Sequence, residues 1–593
     1  MKKYIIILLG LTILFSACEK LDQVPESTAT RDAIFGNETG LMLYTNSFYD
    51  ILPTAGDIHR SDEMSDYAAR TQVPDFLREG AFGPRQSSGW NWEQLRNVNY
   101  FIENCTDPRV SETARRNYIG IARFFRAWFY FDKVKRFGDV PWINKTFQVN
   151  DPDLFKGRDS RTLVMDSVLA DLDYAAANIT AANDNSRSLI SKNVAYAFKS
   201  RVCLFEGTYR KYHDELNLAS TSEKWLTEAV NAAEKVINTG GYSLYNGLGT
   251  DKSYRQLFTS TTPVTSEVLL SVVMDANLSV FNDANWWWTS ATYGSRVSFI
   301  RTFVNTYLSS DGTPFTSKPG YETMTFMEEV KNRDKRLQQT IRMGDYKRVN
   351  GGSTEPAPPV FSYTYTGYQP IKWTLDDVYY DGGSRNINSI CVIRLAEVLL
   401  NYAEAKAELK SFGIDFTTAD WTTTIGALRT RAGLANANSL PTTIDPYLEQ
   451  NYFPDIMDPV LMEIRRERGI ELALEGFRFY DLVRWKLGKL MEQTWNGFYV
   501  PALNQPMDLN EDGILDVCFY KEKPATQIAG VTYVNVAETI SNGPNPQRLS
   551  HDTYGELTWL NNVPRKWETK HYLYPIPEND KLLNPELGQN PGW

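Results

Sequence analysis

Apolar side chains recur at helical spacing in several long blocks of this chain, and this periodicity constrains the fold more than any other feature. In the clearest block, large apolar side chains follow one another at steps of three and four residues: Ile121, Phe124, Phe125, Trp128 and Phe131. Such a stripe predicts an amphipathic helix with one broad buried face. Gly138, followed by Pro141, predicts where this helix ends.

Comparable stripes follow along the chain. They cover residues 163–177, 194–209, 225–237, 393–409, 425–432 and 460–490. Gly469 and Gly476 are predicted to divide the last stripe. Small residues such as Ala396, Ala403 and Ala407 lie where two helices would need to approach closely. The stripes together predict a mostly α fold, in which tetratricopeptide-like helical hairpins without a strict repeat carry long irregular loops and a few short strands.

Two long segments lack sustained stripes, at about residues 243–388 and 495–593. Loops and short strands are expected to outnumber helices there. No Gly/Ser tract, proline run or charge block marks a linker, so residues 18–593 are predicted to form a single domain. Loops carried on a rigid scaffold commonly hold binding sites, which makes these two segments the places to look for one.

The N-terminus has the pattern of a bacterial lipoprotein export signal. Lys2 and Lys3 precede a short apolar stretch, and small residues lead directly to Cys18. The stretch is too short to cross a bilayer core of about 30 Å as a helix. We therefore expect residues 1–17 to be a cleaved signal peptide, and Cys18 to carry acyl chains such as palmitate that tether the protein outside the cytoplasm.

Charge and cysteine content exclude several classes of protein. The formal net charge is −10 and no polybasic patch is present, which argues against a nucleic-acid partner. The four other cysteines are widely spaced without a CxxC pair, so neither a disulfide framework nor a zinc site is predicted. The four histidines are scattered, and no HExxH, GxSxG or phosphate-binding glycine loop occurs. Nothing in the sequence therefore points to catalysis.

Two clusters of tryptophans and amides are the candidates for ligand binding. The first contains Trp90 and Trp92, followed by Arg96. The second consists of Asn285, Trp286, Trp287, Trp288 and Tyr293. An indole ring offers apolar area to the C–H face of a pyranose, while amide and charged side chains can bond its hydroxyls. Core packing is the alternative for both clusters, but three consecutive indoles are not expected all to point inward.

A further segment has the spacing of a calcium loop. Asp508, Asn510 and Asp512 alternate along the chain, Gly513 permits a sharp turn, and two more ligands follow: the backbone carbonyl of Ile514 and the carboxylate of Asp516. The closing glutamate of an EF-hand is missing, because Phe519 occupies its position. The loop predicts a structural Ca²⁺ site, with a plain Asn/Asp/Gly turn as the alternative.

Several motifs in a fixed order resemble the SusD/RagB family of outer-membrane nutrient-binding lipoproteins. The matching segments are residues 122–127, 136–141, 205–213, 332–337, 394–405, 428–434, 465–485, 574–577 and 589–593. The resemblance implies a non-catalytic binding protein at the cell surface, held in the outer membrane by its lipid. It also implies a TonB-dependent, SusC-like outer-membrane transporter as partner, and an oligosaccharide or polysaccharide as ligand. Glycan-binding members use exposed aromatic residues from comparable loops, at positions that vary.

The resemblance leaves alternatives open. Peptide binding occurs in the same family, and a surface glycoside hydrolase or esterase and a purely structural envelope protein are competitors from other classes. Charged residues of the late stripe alternate at helical spacing: Arg465, Glu467, Arg468, Glu471, Glu475, Arg478, Asp481 and Arg484. We interpret them as ion pairs that fix helix packing. A glycosidase would need two carboxylates facing each other across a cleft, which the sequence does not reveal.

Overall fold

The computed structural model describes residues 31–292 and 294–593. The predicted signal peptide, Cys18 and Tyr293 lie outside these residues. Within them, the α-helices have the following bounds: Arg31–Phe35, Glu38–Asn46, Ala55–His59, Glu93–Asn104, Glu112–Phe137, Arg161–Asn178, Lys192–Tyr212, Ser222–Thr239, Ser253–Thr259, Ala284–Thr289, Arg301–Val304, Phe326–Glu329, Lys335–Gln338, Leu395–Glu408, Thr418–Trp421, Ala427–Arg431, Pro446–Asn451, Pro459–Glu471, Arg478–Arg484 and Glu578–Leu583. The chain is mostly helical, as the stripes predicted.

The Glu112–Phe137 helix shows how the sequence sets these bounds. Ser111 caps its start, since the side-chain oxygen accepts a hydrogen bond from the backbone N–H of Ala114. Gly138 ends it with a φ of +75°, a conformation that glycine adopts without steric cost, and its N–H bonds the carbonyl of Val134. Four residues of the predicted apolar stripe are buried and Ile121 is partly buried, which confirms both the element and its C-terminal end.

The later stripes require two corrections. Gly469 does not divide a helix but lies within Pro459–Glu471, and a Cβ atom there would meet Arg478 and Phe303 only at ordinary contact distance. The division comes at Gly476, which has a φ of +86°. The stripe that begins at Ile393 starts in the Ile390–Arg394 strand, and its helix begins only at Leu395.

Consecutive long helices pair into hairpins and build the scaffold. Glu112–Phe137 packs on Arg161–Asn178, and Lys192–Tyr212 packs on Ser222–Thr239. The Leu395–Glu408 helix extends the stack, since it contacts both the second hairpin and the Pro459–Glu471 helix. This is the predicted tetratricopeptide-like arrangement.

Close helix contact depends on Gly207. A Cβ atom at this position would come within 2.9 Å of the Leu226 side chain on the partner helix. Any larger residue would therefore push the two helices of the second hairpin apart.

The strands are short and lie mainly in the two segments predicted to be irregular. Their bounds are Ala68–Ala69, Val268–Val272, Ser298–Phe299, Lys347–Asn350, Ser353–Pro356, Ile390–Arg394, Trp495–Val500, Val517–Tyr520, Thr532–Asn535, Thr539–Ile540, Gly543–Pro544, Gln547–Leu549 and Gly555–Trp559. The largest sheet among the described residues has three antiparallel strands, with Gly555–Trp559 between Gln547–Leu549 and Trp495–Val500. Val268–Val272 pairs with Ile390–Arg394 and joins the first irregular segment to the scaffold.

None of the helices that the structure describes combines the length and the apolar character needed to cross a membrane.

Candidate ligand-binding surface

The three consecutive tryptophans lie on the short Ala284–Thr289 helix, within the segment where loops and short strands were expected to outnumber helices. Their side chains differ in exposure. Trp288 points into the core and is 5 % exposed, whereas Trp286 and Trp287 are partly exposed. The rings of these two lie 6.2 Å apart at an angle of 46°. We call this pair the Trp286–Trp287 platform.

Asn285 supports this helix from within. Its side chain is fully buried, and its amide nitrogen donates to the Leu375 carbonyl at 2.8 Å and to an Asp381 carboxylate oxygen at 3.0 Å. Its side-chain oxygen accepts from the Leu375 N–H at 2.7 Å and from the Asn386 amide at 2.7 Å. Asn285 and Trp288 therefore do not face the surface, and the predicted set of ligand contacts is corrected at both positions.

Two residues from the N-terminal part of the chain hold Trp287 in place. The guanidinium of Arg60 lies over its ring, 4.0 Å from the centroid, and Glu63 accepts a hydrogen bond of 2.6 Å from its indole N–H. Glu63 in turn pairs with Arg70 at 3.2 Å. A cation–π contact and a charged acceptor thus fix the orientation of the indole.

Asp283 provides a negative charge at the start of the same helix. Burial alone would raise its pKa, but hydrogen bonds from His59 and Arg60 outweigh this effect and lower the pKa to about 2. His59 is buried and lies 3.1 Å from the carboxylate. Asp283 is thus ionised at neutral pH and orients Arg60 over Trp287.

A surface turn extends the platform on its other side. The Val378–Asp381 turn packs against the Ala284–Thr289 helix, and Gly383 lies beside the Trp286 ring. Tyr379 is 60 % exposed on this turn, and the Arg385 guanidinium lies 4.9 Å from its ring centroid. The surface therefore combines several aromatic faces with charged hydrogen-bond donors.

A cleft of about 830 Å³ opens next to the platform. It runs between residues 49–56, the end of the Val268–Val272 strand, and residues 280–283. Its apolar lining comes mainly from these side chains: Leu52, Pro53, Val272, Met274, Val280 and Phe281. The volume falls in the range of small-ligand sites, about 300–1,000 Å³.

The first predicted cluster is tied to the scaffold. Trp90 packs edge-on against Phe137 at 4.9 Å and against Trp92 at 5.2 Å, and Trp92 packs against Phe129 at 5.5 Å. Both indoles are only partly buried. Arg96 is exposed and lines a separate cavity of about 720 Å³ near the Glu38–Asn46 helix. The structure therefore does not bring this cluster together with the Trp286–Trp287 platform, and its role in binding stays a prediction.

The alternating charges of the late stripe form buried ion pairs, as interpreted from the sequence. All eight side chains are buried. Their partners include Arg394 for Glu471 and Glu475, Glu408 for Arg465, Asp66 for Arg478, and Glu404 for Arg484. These charges are thus paired inside the scaffold, and Arg468, Glu475, Asp481 and Arg484 also line a small cavity of about 220 Å³.

The predicted calcium loop bonds to its own backbone. Asp508 accepts from the N–H groups of Asn510, Glu511 and Gly513, and Asp512 accepts from the N–H of Ile514 at 2.8 Å. Burial, followed by the charges of Asp508 and Asp512, raises the pKa of Asp516 to about 6. Over the described ranges, no group of three or more His, Cys, Asp and Glu side chains is arranged to hold a metal ion. Calcium at this loop stays a prediction.

Sequence analysis missed the residues that support the platform. Arg60 and Glu63 lie in one segment and Tyr379 in another, neither with a local motif, and only the tertiary fold brings them to the platform. The aromatic residues at positions 286 and 287 were the only local signal.

Comparison with known proteins shows which family has this architecture. Residues 274–593 match the SusD family, and residues 88–204 match a family described as starch-binding and associating with the outer membrane. A SusD-like protein of Bacteroides ovatus is 23 % identical over 100 % of this chain and 98 % of its own length. SusD-like protein P2 of Formosa agariphila is 24 % identical over 82 % of this chain and 92 % of its own.

Solved structures show the same fold. A SusD-like protein from Bacteroides fragilis superposes with a TM-score of 0.65 at 21 % identity, covering 95 % of this chain and 98 % of the other. A SusD-like carbohydrate-binding protein from the same species gives a TM-score of 0.65 at 19 % identity, covering 93 % and 99 %. The class of protein is thus the one that shares this mostly helical scaffold. The chain belongs to the SusD family.

Proposed function

We propose that this protein binds an oligosaccharide or polysaccharide chain at the Trp286–Trp287 platform and passes it unchanged to a TonB-dependent, SusC-like outer-membrane transporter. The observation that carries the proposal is the pair of partly exposed indoles fixed in place by Arg60 and Glu63. A sugar ring that stacks on a fixed indole loses less free energy to side-chain ordering than one that stacks on a mobile indole. Family membership and the carbohydrate-binding relative support the ligand class.

The proposed function requires the protein to lie at the cell surface. We infer that acyl chains on Cys18 hold the protein in the outer membrane with its binding surface toward the medium, and that the signal at residues 1–17 directs its export. The match to a family described as associating with the outer membrane supports this placement. Metabolic labelling with an alkyne-tagged palmitate, compared between the wild type and Cys18→Ala, tests the anchor directly.

Glycan binding is tested by affinity electrophoresis of the purified chain, from residue 19 onward, in gels that contain single polysaccharides. We expect retardation by at least one polysaccharide, lost in Trp287→Ala and kept in Phe155→Ala. Phe155 is the matched control, because it is an exposed aromatic residue on a different segment, 62 % exposed. No retardation by any member of a broad panel would contradict the proposal. Analysis of the same mixtures for released sugars tests the hydrolase alternative.

The cleft of about 830 Å³ favours a second candidate ligand, a peptide. Its apolar lining suits the side chains of an extended peptide better than the hydroxyls of a sugar. Two results together would favour this alternative. Peptides from a library should bind the wild type but not Met274→Asp, and no polysaccharide should retard the wild type in gels. Co-purification of the full-length lipoprotein with a transporter from outer-membrane extracts tests the proposed delivery step for either ligand.

A further inference from the structure

We infer that Trp559 and Tyr365 form a second aromatic subsite, and that the ligand is therefore an extended oligosaccharide that spans both this subsite and the Trp286–Trp287 platform. The inference rests on the proposed function. It assigns a binding role to Trp559, which lies about 270 positions after the platform in a part of the chain where no tryptophan cluster occurs.

The second subsite is a preformed stack. The Trp559 and Tyr365 rings lie face to face, 3.7 Å apart and 11° from parallel. Tyr365 is 7 % exposed, whereas Trp559 is partly exposed. The buried Tyr365 ring thus covers one face of the Trp559 indole and fixes its orientation, while Trp559 itself stays at the surface.

Hydrogen bonds hold the Trp559 ring and the backbone of Tyr365 in place. The Trp559 indole N–H donates to the Arg70 carbonyl at 2.8 Å, so its only polar group is satisfied by the protein. The Tyr365 backbone N–H donates to the Ser298 hydroxyl at 3.1 Å. Trp559 also ends the Gly555–Trp559 strand in the middle of the three-stranded sheet, opposite Trp495. Little conformational freedom remains to be lost when a ligand binds.

A continuous set of contacts joins the two subsites. Trp287 donates to Glu63, Glu63 pairs with Arg70, and the Arg70 carbonyl accepts from Trp559. Only the Glu63 carboxylate and the length of Arg70, from its guanidinium to its carbonyl, separate the indole nitrogens of Trp287 and Trp559. These two nitrogens are therefore at most about 20 Å apart. That separation suits a short oligosaccharide of several sugars.

Residues 294–296 also lie between the two subsites and contact both of them. Gly294 packs against the backbone of Trp287, and the Arg296 guanidinium donates to the Ala291 carbonyl at 3.0 Å and lies 5.6 Å from the Tyr365 ring. The Ser295 carbonyl accepts from the Thr71 N–H at 2.9 Å, which ties the loop to the residue after Arg70. Arg70 and Arg296 are both partly exposed and would offer donors to sugar hydroxyls between the two aromatic faces.

Isothermal titration with oligosaccharides of defined length tests the inference. The probes are malto-, cello-, xylo- and manno-oligosaccharides from two to eight sugars, each titrated into the wild type, Trp559→Ala and Trp287→Ala. In the wild type, affinity is expected to rise with length until both subsites are occupied, by about tenfold for the added stacking contact. Trp559→Ala should bind long and short members alike, with the affinity of the short ones. Trp287→Ala should bind all lengths weakly.

Two further variants control for folding. Tyr554→Ala removes an exposed aromatic residue, 44 % exposed, next to the same strand, and should keep the full length dependence. If Trp559→Ala does not fold, Trp559→Phe replaces it, because this variant keeps a ring on Tyr365 but loses indole area. It should lose about half of the gain in affinity with oligosaccharide length, measured on a logarithmic scale. An unchanged length dependence in a folded Trp559 variant, with binding lost in Trp287→Ala, would overturn the inference and leave the proposed function intact. Absence of binding at every length in the wild type, together with no retardation in polysaccharide gels, would instead contradict the proposed function.

Discussion

The indole N–H of Trp287 donates a hydrogen bond of 2.6 Å to Glu63, a residue 224 positions earlier in the chain. This contact ties the first irregular segment to the N-terminal part of the protein at the point where the aromatic platform forms. Since Arg60 lies over the same ring, both a charge-assisted hydrogen bond and a cation–π contact fix the orientation of the indole. The platform is thus a product of the tertiary fold and does not depend on the Ala284–Thr289 helix alone.

Removal of the Glu63 acceptor should weaken ligand binding without removing an aromatic face. In Glu63→Ala, Trp287 loses its hydrogen bond and Arg70 loses its partner, so the indole must be ordered on binding. Hydrogen bonds to charged groups contribute about 1.5–3 kcal/mol, and we expect affinity for the bound glycan to fall by about tenfold. Isothermal titration measures the change. Glu79→Ala, an exposed glutamate, should leave the affinity as in the wild type; equal affinities for Glu63→Ala and Glu79→Ala would refute the positioning role.

The scaffold should be sensitive to single losses within its buried ionic cluster. Glu471 is fully buried and lies 2.7 Å from Arg394 and 2.9 Å from Arg336. Burial opposes its charge, but the surrounding arginines hold its pKa well below the ordinary value. Glu471→Gln leaves the arginines without their shared carboxylate and should lower the free energy of unfolding by about 3–5 kcal/mol.

Urea titration followed by far-UV circular dichroism measures this loss. The matched control is Glu578→Gln, which breaks an exposed pair with Arg85 and should cost less than about 1 kcal/mol. A cost for Glu471→Gln as small as that of the control would mean that the buried cluster does not stabilise the scaffold.

Asp62 should make stability depend on pH between about 4 and 6. It is buried, with one carboxylate oxygen accepting from the Tyr67 hydroxyl at 2.6 Å and the other without a partner. Burial raises its pKa to about 6, against an ordinary value of 3.8. Because the folded protein binds this proton more tightly than the unfolded chain, the stabilisation is complete below about pH 4 and is lost as the pH rises through 6.

Asp62→Asn imitates the protonated form and removes this dependence. The difference in unfolding free energy between the wild type and Asp62→Asn should therefore shift against the wild type by about 2–3 kcal/mol from pH 4 to pH 7. Urea titrations at four pH values measure the shift. A constant difference over this range would show that Asp62 stays ionised in the folded protein.

Calcium is expected to stabilise the loop at residues 508–516. Asp508 and Asp512 already raise the pKa of Asp516 by repulsion added to burial, and a cation would relieve that repulsion. Millimolar calcium should raise the melting temperature by a few degrees, and a chelator should reverse the change. Asp512→Asn combined with Asp516→Asn should respond to neither. A wild-type melting temperature that is the same with calcium and with chelator would remove the site.

Much of the scaffold could be predicted from the sequence because its helices carry their own signals. Apolar spacing located the Glu112–Phe137 helix, and Gly138 located its end. Gly469 misled the prediction, since a single glycine is tolerated inside a helix that the surrounding residues favour. The ionic role of Glu471 and its neighbours was also evident, because alternating charges at helical spacing form pairs more often than active sites.

The binding surface could be predicted only in part. Adjacent tryptophans are a local signal, so Trp286 and Trp287 were predicted as candidates, and both are partly exposed; their neighbours Asn285 and Trp288 were also predicted, but the short helix turns them inward. Arg60 and Glu63 could not be found, because a contact across more than 200 residues leaves no pattern in a single sequence.

The measurement that tests the central claim most directly is affinity electrophoresis of the wild type and of Trp286→Ala combined with Trp287→Ala across a broad panel of polysaccharides. The account predicts that at least one polysaccharide retards the wild type, and that the double variant, folded by circular dichroism, migrates as it does in a gel without polysaccharide. Equal retardation of both proteins would contradict the claim that this platform holds the ligand.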